Sequence, residues 1–154
     1  MTTRPREVEL HRTATRLFRE RGFHATSMQD LAEALGMNRG SLYHYIQSKD
    51  DLLWAIVDGG FRTLEERVLP LLDGDAPGVE RLRAAVAAHL EVAAEHRDEL
   101  TLLQMERRAL PPERLAEIIR RRDAYEAAFR RAIRDGVAAG ELRPFDERLG
   151  SIAL

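Results

Sequence analysis

The stretch ATSMQDLAEALGMNRGSLYHYIQSKDD, residues 25–51, carries the clearest structural pattern in this chain. Its first half predicts a short helix, because Ser27 and Asp30 have the spacing of an N-terminal capping pair and apolar residues then recur every three or four positions. Gly36 follows at the point where a left-handed residue is expected to end that helix. A second capped helix is predicted over 39–46, with polar groups outward. Two such helices joined by a tight turn are typical of a helix-turn-helix, whose second helix enters the major groove of DNA.

A longer segment, ATRLFRERGFHATSMQDLAEALGMNRGSLYHYIQSKDDLLWAIVD (residues 14–58), resembles the N-terminal domain of the TetR family of bacterial transcriptional regulators. The pieces that carry the resemblance are LFRERGF, TSMQDLAEALGM, LYHYI and SKDDL. One departure is Ile46, where that family usually has an aromatic residue. The resemblance implies an all-α protein with a three-helix DNA-binding head over 1–46 and a helical ligand-binding and dimerisation domain over 47–154. It also implies repression at a palindromic double-stranded DNA operator, relieved by a small-molecule effector.

The residues predicted to contact DNA lie in and around the second helix: Thr26, Arg39, Gly40, Ser41, Tyr43, His44 and Lys49. Arg39 can donate two hydrogen bonds to guanine O6 and N7, and the alternative is an arginine that faces a phosphate. Gly40 permits close approach of the backbone to DNA. The alternative is a tolerated small residue, which would cost about 1 kcal/mol in a helix.

The remaining residues of this set are expected to contact phosphates or base edges. Tyr43 and Thr26 are predicted phosphate contacts, and the resemblance implies the same for Lys49, the only lysine in the chain. Ser41 and His44 are predicted to lie on the exposed face, with plain solvent exposure as the alternative for His44. Tyr45 is predicted to be a core residue on the opposite face. Arg4 and Arg6 are expected to form a basic arm, although charges near a terminus are usually mobile.

The composition favours a cytoplasmic protein without catalytic machinery. Charged residues make up 32% of the chain, and residues 1–50 hold eight basic and six acidic residues against sixteen and twenty in the remainder. The charge is thus polarised toward the proposed DNA-binding end, which favours steering of DNA. The chain has no cysteine, the histidines lack metal-ligand spacing, and no acid–base cluster is evident, so neither a cofactor nor a metal is expected. No apolar run approaches the ~20 residues of a membrane span and no signal peptide is evident.

The first helix is predicted over about 6–21, and further helices follow the head. A fourth helix should begin at Ser48, capped with Asp51, and stop at Pro70. A fifth should follow the loop over 73–78, with His89 and Leu90 on its apolar face. A sixth, over about 98–109, is apolar on two sides, which predicts a central position.

A seventh helix is predicted over about 113–139, with Arg122 on its inner face. The last residues, FDERLGSIAL (145–154), look like the first turns of an eighth helix. The resemblance implies two long dimerisation helices beyond this point. We therefore expect a shortened chain, which would be a homodimer if those helices were restored.

Six residues are candidates for effector binding: Phe61, His89, Leu103, Met105, Arg122 and Tyr125. For each of them an ordinary structural role is the alternative. His89 could be a core histidine bonded to a neighbour, Arg122 could pair with Glu106 or extend its head group to solvent, and the rest could be plain core. The stretch YEAAFRRAIRDGVAAGELRP, residues 125–144, is similar to regulators of lipid and steroid catabolism that respond to acyl-CoA thioesters. This similarity implies a hydrophobic or acyl-CoA-like effector.

Two other classes of protein remain possible from the sequence. One is a helical enzyme that carries a helix-turn-helix, against which the missing catalytic cluster argues. The other is a truncated TetR-like chain that acts through protein–protein contacts without binding DNA. Mass and oligomeric state in solution would separate the second class from a repressor.

Overall fold

The computed structural model describes residues 5–144, and this part of the chain is all-α, as predicted. The α-helices in it are α1 (Pro5–Arg21), α2 (Met28–Ala34), α3 (Arg39–Leu42), α4 (Lys49–Leu72), α5 (Gly78–Glu95), α6 (Arg97–Glu106) and α7 (Pro112–Ala138). A short 3-10 helix, Arg107–Ala109, follows α6. The predicted beginning of an eighth helix at 145–154 and the residue Arg4 lie outside the described residues. No helix within 5–144 combines the length and the apolar character needed to cross a membrane.

The chain divides into two compact units that alternate along the sequence. The first unit runs up to Gly60 and also includes Arg97–Leu115, whereas the second comprises Phe61–His96 and the residues from Ala116 onward. Helices α4 and α7 each begin in the first unit and end in the second. Residues 47–60 and 97–115 therefore pack with the first 46 residues. The functional division at residue 46 stays a prediction.

The first unit is built on the apolar stripe of α1, which is buried as predicted. Leu10, Ala14, Leu17 and Phe18 all point into the core. Phe23, just after α1, packs its ring edge-on against Phe18 with centroids 5.2 Å apart. Apolar residues of the following helices complete this core: Met28, Leu31, Ala32, Leu35, Leu42, Leu52, Leu53 and Ile56.

The helix-turn-helix forms through the caps that the sequence predicts. The Ser27 side chain accepts from the Asp30 amide, and the Asp30 carboxylate accepts from the Ser27 amide, so the capping box is complete. Gly36 has a φ of 61°, the left-handed conformation expected at the end of α2. The Asn38 side chain accepts from the Ser41 amide at 2.7 Å and starts α3.

Helix α3 is shorter than the predicted 39–46. It ends at Leu42 because the next amides bond to carbonyls three positions back, His44 to Ser41 at 3.3 Å and Tyr45 to Leu42 at 3.0 Å. This tighter pattern is that of a 3-10 turn. The side chains after Tyr43 therefore do not follow the spacing of an α-helix.

In the second unit, α5 and α7 bury narrow stripes of small and aromatic residues. The buried residues of α5 are Gly78, Ala85 and Val92, whose spacing is seven residues. Those of the part of α7 in this unit are Ile118, Tyr125, Ala128, Phe129, Ala132, Ile133 and Gly136. Leu90, predicted on the apolar face of α5, is 61% exposed, because the stripe at this spacing is too narrow to include it.

Two further predictions about helices were wrong. Pro70 lies inside α4 and does not end it, because one missing amide donor is tolerated where only two more residues follow before the helix ends. Helix α6 is not central, since Leu102 is its buried residue and Met105 is 57% exposed. Leu100 and Leu103, the other apolar residues of this helix, are half-buried.

Candidate nucleic-acid interface

The exposed surface of the helix-turn-helix carries an arginine held by a tyrosine. Arg39 donates from Nη2 to the Tyr43 hydroxyl at 3.1 Å, and its guanidinium carbon lies 5.6 Å from the centre of the Tyr43 ring. The two residues are four positions apart, at α3 and its following turn, so they lie on the same side. Both are exposed. Stacking on a ring reduces the number of positions that the guanidinium samples, which prepares it for a two-bonded contact to a base.

Gly40 and the neighbouring polar residues complete this exposed surface. Gly40 and His44 are exposed and Ser41 is half-buried. A Cβ built at Gly40 would lie 3.3 Å from Oδ1 of Asn38, the atom that caps α3. The absence of a side chain at Gly40 therefore avoids crowding at the α3 cap. It also leaves the backbone at this position exposed.

Tyr45 belongs to the exposed surface and not to the core. It is 38% exposed, which contradicts the predicted core position. The prediction assumed that the α-helix continued to residue 46. Because the backbone changes from an α-helix to a 3-10 turn after Leu42, the Tyr45 side chain points outward. Leu42 is the buried residue of α3.

Thr26 is placed differently from the predicted phosphate contact. Its side chain is only 1% exposed, and its hydroxyl donates to the Gly22 carbonyl at 2.9 Å. The hydroxyl thus completes the turn after α1. Thr26 is accordingly not among the residues that we propose to contact DNA.

Lys49, the first residue of α4, points its ammonium into the turn that joins α1 and α2. Nζ donates to the Phe23 carbonyl at 2.7 Å and the Thr26 carbonyl at 2.9 Å, with the His24 carbonyl at 3.4 Å. It also lies 4.4 Å from the centre of the Phe23 ring. Whether Lys49 also contacts a phosphate stays a prediction.

Arg6 is likewise engaged within the protein. Its guanidinium donates to the Leu35 carbonyl at the end of α2 at 2.9 Å and to the Glu9 carboxylate at 2.6 Å. Arg6 therefore ties α1 to α2 and does not form part of a trailing basic arm. In the sequence, the only feature that drew attention to Arg6 was its positive charge near the N-terminus.

Two residues distant in sequence, Glu106 and Arg114, bond to the segments that flank the helix-turn-helix. The sequence analysis did not predict these contacts. Glu106 of α6 accepts from the Phe23 amide at 3.0 Å. Arg114 of α7 donates to the Asp51 carboxylate at 2.6 Å and to the Asp50 carbonyl at 3.2 Å, and its guanidinium lies 5.5 Å from the Trp54 ring centre. Helix propensity and spacing carry no signal for such long-range pairs.

Local hydrogen bonds and burial set the ionisation of several groups in this unit. The Ser48 hydroxyl first, and Arg114 second, lower the pKa of Asp51 below its usual value. The Ser27 hydroxyl and amide lower the pKa of Asp30 in the same way. Burial lowers the pKa of His11 on α1, an effect that nearby acidic residues oppose.

In the second unit, three of the effector candidates lie together. Tyr125 places its hydroxyl 2.9 Å from Nδ1 of His89, and its ring meets Phe61 edge-on with centroids 6.4 Å apart. Burial raises the pKa of Tyr125 well above its ordinary value. The hydroxyl therefore stays protonated and can serve as a hydrogen-bond donor.

The other three effector candidates are not part of this cluster. Arg122 is exposed and pairs with Asp123 and Glu126 on its own helix, so its predicted inward position was wrong. Leu103 and Met105 belong to the first unit.

The arginine that faces the cluster is Arg121, one position before Arg122. It makes a two-pronged pair with Glu65, at 2.9 and 2.6 Å, and lies 5.2 Å from the centre of the Phe61 ring. Adjacent helix positions differ by about 100° in direction. The prediction that Arg122 faces the cluster was therefore wrong by one helix position, which is about 100° around the helix. Among the described residues, no group of three or more histidine, aspartate or glutamate side chains could hold a metal ion.

Two family models match this chain and together cover most of it. Residues 10–56 match the model described as "Bacterial regulatory proteins, tetR family". Residues 75–154 match the model described as "Tetracyclin repressor-like, C-terminal domain". The second match alone spans more than half of the chain.

Individual proteins similar to the chain are transcriptional regulators. It is 29% identical over 140 residues to the HTH-type transcriptional repressor KstR2 of Mycobacterium tuberculosis, covering 90% of this chain and 70% of that protein. It is also 29% identical to the HTH-type transcriptional regulator HbdR of Aromatoleum sp. (strain CIB), covering 97% of this chain and 67% of that protein.

Solved structures similar to the chain include that of a TetR family transcriptional regulator. PfmR from Thermus thermophilus, a TetR family transcriptional regulator, superposes with a TM-score of 0.84 at 33% identity, covering 94% of this chain and 79% of that chain. AibR in complex with isovaleryl coenzyme A and operator DNA superposes with a TM-score of 0.80 at 34% identity, covering 96% and 80%.

Proposed function

Because this chain belongs to the TetR family of bacterial regulatory proteins, we propose that it represses transcription by binding a palindromic operator and is released by a small hydrophobic or acyl-CoA-like effector. The observation that carries the proposal is the exposed Arg39–Tyr43 pair beside Gly40, on a capped helix-turn-helix. Arg39 would read guanine O6 and N7 in the major groove. Gly40 would allow close approach, and Ser41, Tyr43 and His44 would contact base edges or phosphates.

Operator binding of this kind needs two copies of the chain. One helix-turn-helix reads one half-site, and dimers read two half-sites that are roughly 34–36 Å apart for one turn of DNA. We therefore propose a homodimer. Light scattering, with and without operator DNA, would measure the mass of the bound species.

The effector class is proposed from the second unit and from one relative. Phe61 and Tyr125 offer apolar surface, the Tyr125 hydroxyl and His89 offer hydrogen bonds, and Arg121 offers a cation that a carboxylate, Glu65, now occupies. Such a mixture suits an acyl chain with a polar or anionic group. The AibR structure contains isovaleryl coenzyme A together with operator DNA, which supports an acyl-CoA thioester as the first compound to test.

Effector binding would reach DNA through the helices that both units share. Helix α4 begins at Lys49 behind the helix-turn-helix, and α7 begins with Arg114 bonded to Asp51. Both helices then continue into the second unit, where Phe61, Arg121 and Tyr125 lie on them. An effector shifts the operator-binding equilibrium only by its difference in affinity for the two conformations.

The experiment that tests this function measures the binding of fluorescent DNA fragments from around the chain's own promoter, over a series of salt concentrations. We expect selective binding that weakens with salt, is lost in the Arg39→Ala/Tyr43→Ala double variant, and is relieved by isovaleryl-CoA but not by coenzyme A alone. A chain that binds no fragment selectively, in any oligomeric state, would contradict the proposal and favour action through protein–protein contacts. An acyl-CoA that binds tightly without changing operator affinity would contradict the effector part alone.

A further inference from the structure

Arg114, in the first turn of α7, makes three contacts with the start of α4. Its Nη2 donates to Oδ1 of Asp51 at 2.6 Å, across 63 residues of sequence, and its Nη1 donates to the Asp50 carbonyl at 3.2 Å. The guanidinium carbon lies 5.5 Å from the centre of the Trp54 ring. Asp51 and Trp54 are three positions apart and so lie on the same side of α4. A carboxylate, a backbone carbonyl and a ring thus hold one planar guanidinium at the same time.

The carboxylate that receives Arg114 also belongs to the N-terminal cap of α4. Oδ2 of Asp51 accepts from the Ser48 hydroxyl at 2.6 Å, and the oxygen of that hydroxyl accepts from the Asp51 amide at 3.0 Å. The two oxygens of one carboxylate therefore connect Arg114 to the residue that caps α4. A displacement of the guanidinium would pull on the cap as well as on the first turn of the helix.

The backbone that carries Arg114 is itself restrained. The rings of Pro111 and Pro112 fix φ at both positions, and the Pro111 carbonyl accepts from the Leu115 amide at 2.9 Å. Leu110, which precedes the two prolines, is only 5% exposed. Arg114 therefore extends from a backbone with little conformational freedom, which makes it a firm support for the start of α4.

The start of α4 adjoins the surface that we propose to contact DNA. Lys49, for which a phosphate contact is predicted, is the first residue of α4. Leu52 of α4 and Leu42 of α3 are both fully buried in the core of the first unit. A shift of the first turn of α4 would therefore move Lys49 and the packing surface beneath α3. The ion pair itself adds only modestly to stability, because the side chains of Arg114 and Asp51 are 27% and 34% exposed.

From these contacts we infer that Arg114 is a positioning residue for operator binding: through Asp51 it fixes the first turn of α4 and, with it, the positions of Lys49 and α3. The inference rests on the proposed operator binding. Helix α7 continues from Arg114 into the second unit. A displacement of the first turn of α7 would therefore reach the DNA-binding surface without a change in any residue that we propose to contact DNA.

A double-mutant cycle tests whether Arg114 acts through Asp51. The variants are Arg114→Gln, Asp51→Ala and the combination of the two. Alanine is chosen at position 51 because the amide oxygen of an asparagine could still accept from Arg114. Arg108→Gln, at an exposed position of the 3-10 helix in the same unit, also removes one positive charge and serves as the matched control. The measurement is the operator dissociation constant by fluorescence anisotropy.

We expect Arg114→Gln to raise the dissociation constant about tenfold, which corresponds to about 1.4 kcal/mol, and Arg108→Gln to raise it much less. In the Asp51→Ala background, Arg114→Gln should add no more than Arg108→Gln does, because the effects of two residues that act as one unit do not add. An undiminished effect of Arg114→Gln in that background would mean that Arg114 contacts DNA or acts through another residue, and would overturn the inference. Equal dissociation constants for Arg114→Gln and Arg108→Gln would overturn it as well.

Trp54 is the only tryptophan in the chain, so its fluorescence reports both on folding and on this contact. Denaturant unfolding followed at Trp54 gives the folded fraction of each variant, and the dissociation constants are compared for folded protein. Arg114→Lys is the second variant, for use if Arg114→Gln does not fold. It keeps the charge and loses the planar fork, so it should raise the dissociation constant by a smaller factor, and again only where Asp51 is present.

A second measurement tests the inference in the free protein, independently of DNA. Acrylamide should quench Trp54 more strongly in Arg114→Gln than in the wild type, and the amides of residues 51–53 should exchange hydrogen faster, while exchange in α5 stays unchanged. Arg108→Gln should match the wild type in both respects. Equal quenching and equal exchange in Arg114→Gln would overturn the inference. If the wild-type chain binds no DNA selectively, the proposed function fails, whereas these two results still decide whether Arg114 fixes the first turn of α4.

Discussion

Gly78, the first residue of α5, packs directly on the backbone of Gly136 in α7. A Cβ built at Gly78 would lie 2.8 Å from both the Cα and the amide nitrogen of Gly136, and 3.2 Å from the Ala132 carbonyl. These are backbone atoms, which cannot rotate away as a flexible side chain can. The close approach of α5 and α7 therefore requires glycine at position 78.

Gly78→Ala should destabilise the protein by about 1–3 kcal/mol, the usual cost of overpacking, although alanine is the better helix former. The matched control is Gly59→Ala in α4, where a Cβ meets no heavy atom within 4 Å. The control should be neutral or stabilising by up to about 1 kcal/mol. Denaturant unfolding of both variants checks this pair, and equal stabilities would contradict the packing argument.

Arg39→Lys should reduce selectivity for the operator while leaving the salt dependence of binding unchanged. Lysine keeps the charge but lacks the planar fork that bonds to guanine O6 and N7. We expect the operator affinity to fall by about 1–3 kcal/mol, with little change on unrelated DNA. Fluorescence anisotropy with operator and scrambled duplexes measures the difference, and an equal loss on both duplexes would indicate a phosphate contact.

Gly40→Ala should separate folding from DNA binding. The added Cβ would be crowded at 3.3 Å from Asn38 Oδ1, but alanine gains about 1 kcal/mol in helix propensity, so we expect nearly unchanged stability. The methyl group would project from the exposed surface and hold the backbone away from DNA. A thermal melt together with an operator titration tests this, and unchanged affinity would show that Gly40 makes no close approach.

Tyr125→Phe should weaken both the second unit and its response to an effector. The ring keeps its place against Phe61, but the hydrogen bond to His89 at 2.9 Å is lost, which should cost about 1 kcal/mol of stability. Isovaleryl-CoA should then release operator DNA less effectively. The control is Arg122→Ala, an exposed position where the change should stay within about 0.5 kcal/mol. A normal effector response in Tyr125→Phe and a lost response in Arg122→Ala would reverse the assignment.

Asp51 should make stability depend on acid pH. Its pKa is lowered below 3.8, first by the Ser48 hydroxyl and then by Arg114. The carboxylate thus contributes stability above its unfolded-state pKa, and this contribution disappears as pH falls through the lower folded-state pKa. Asp51→Asn should be less stable near neutral pH and show a flatter acid limb in thermal melts. The adjacent Asp50→Asn is the control, and an acid limb equally steep in Asp51→Asn and wild type would contradict the assignment.

Local signals in the sequence predicted the elements of the head well. Ser27 with Asp30, Asn38, and Ser48 with Asp51 all form the predicted caps, because a capping pair depends only on residues three positions apart. The resemblance to the TetR family is confirmed by the family models. The prediction that the chain is not an enzyme is also confirmed, since the models and the relatives are those of regulators.

The sequence could not predict contacts between residues that are distant in sequence but close together in the fold. The sequence analysis predicted a phosphate contact for Lys49 and a basic arm for Arg6, and it did not predict that each side chain donates to a backbone carbonyl distant in sequence, at Phe23 and Leu35. Tyr45 was misplaced because the change from α-helix to 3-10 turn after Leu42 leaves no mark in residue spacing. Whether Arg39, Gly40, Ser41, Tyr43 and His44 contact DNA stays a prediction.

The alternation of the two units along the chain affects how chimaeras between such regulators can be designed. The helix-turn-helix ends early in the sequence, yet the carboxylate on the Phe23 amide comes from Glu106 and the guanidinium on Asp51 comes from Arg114. A chimaera joined after residue 60 would keep every residue that we propose to contact DNA and exchange both of these partners for those of another protein. An exchange that preserves these two contacts must therefore carry residues 97–115 along with the N-terminal segment.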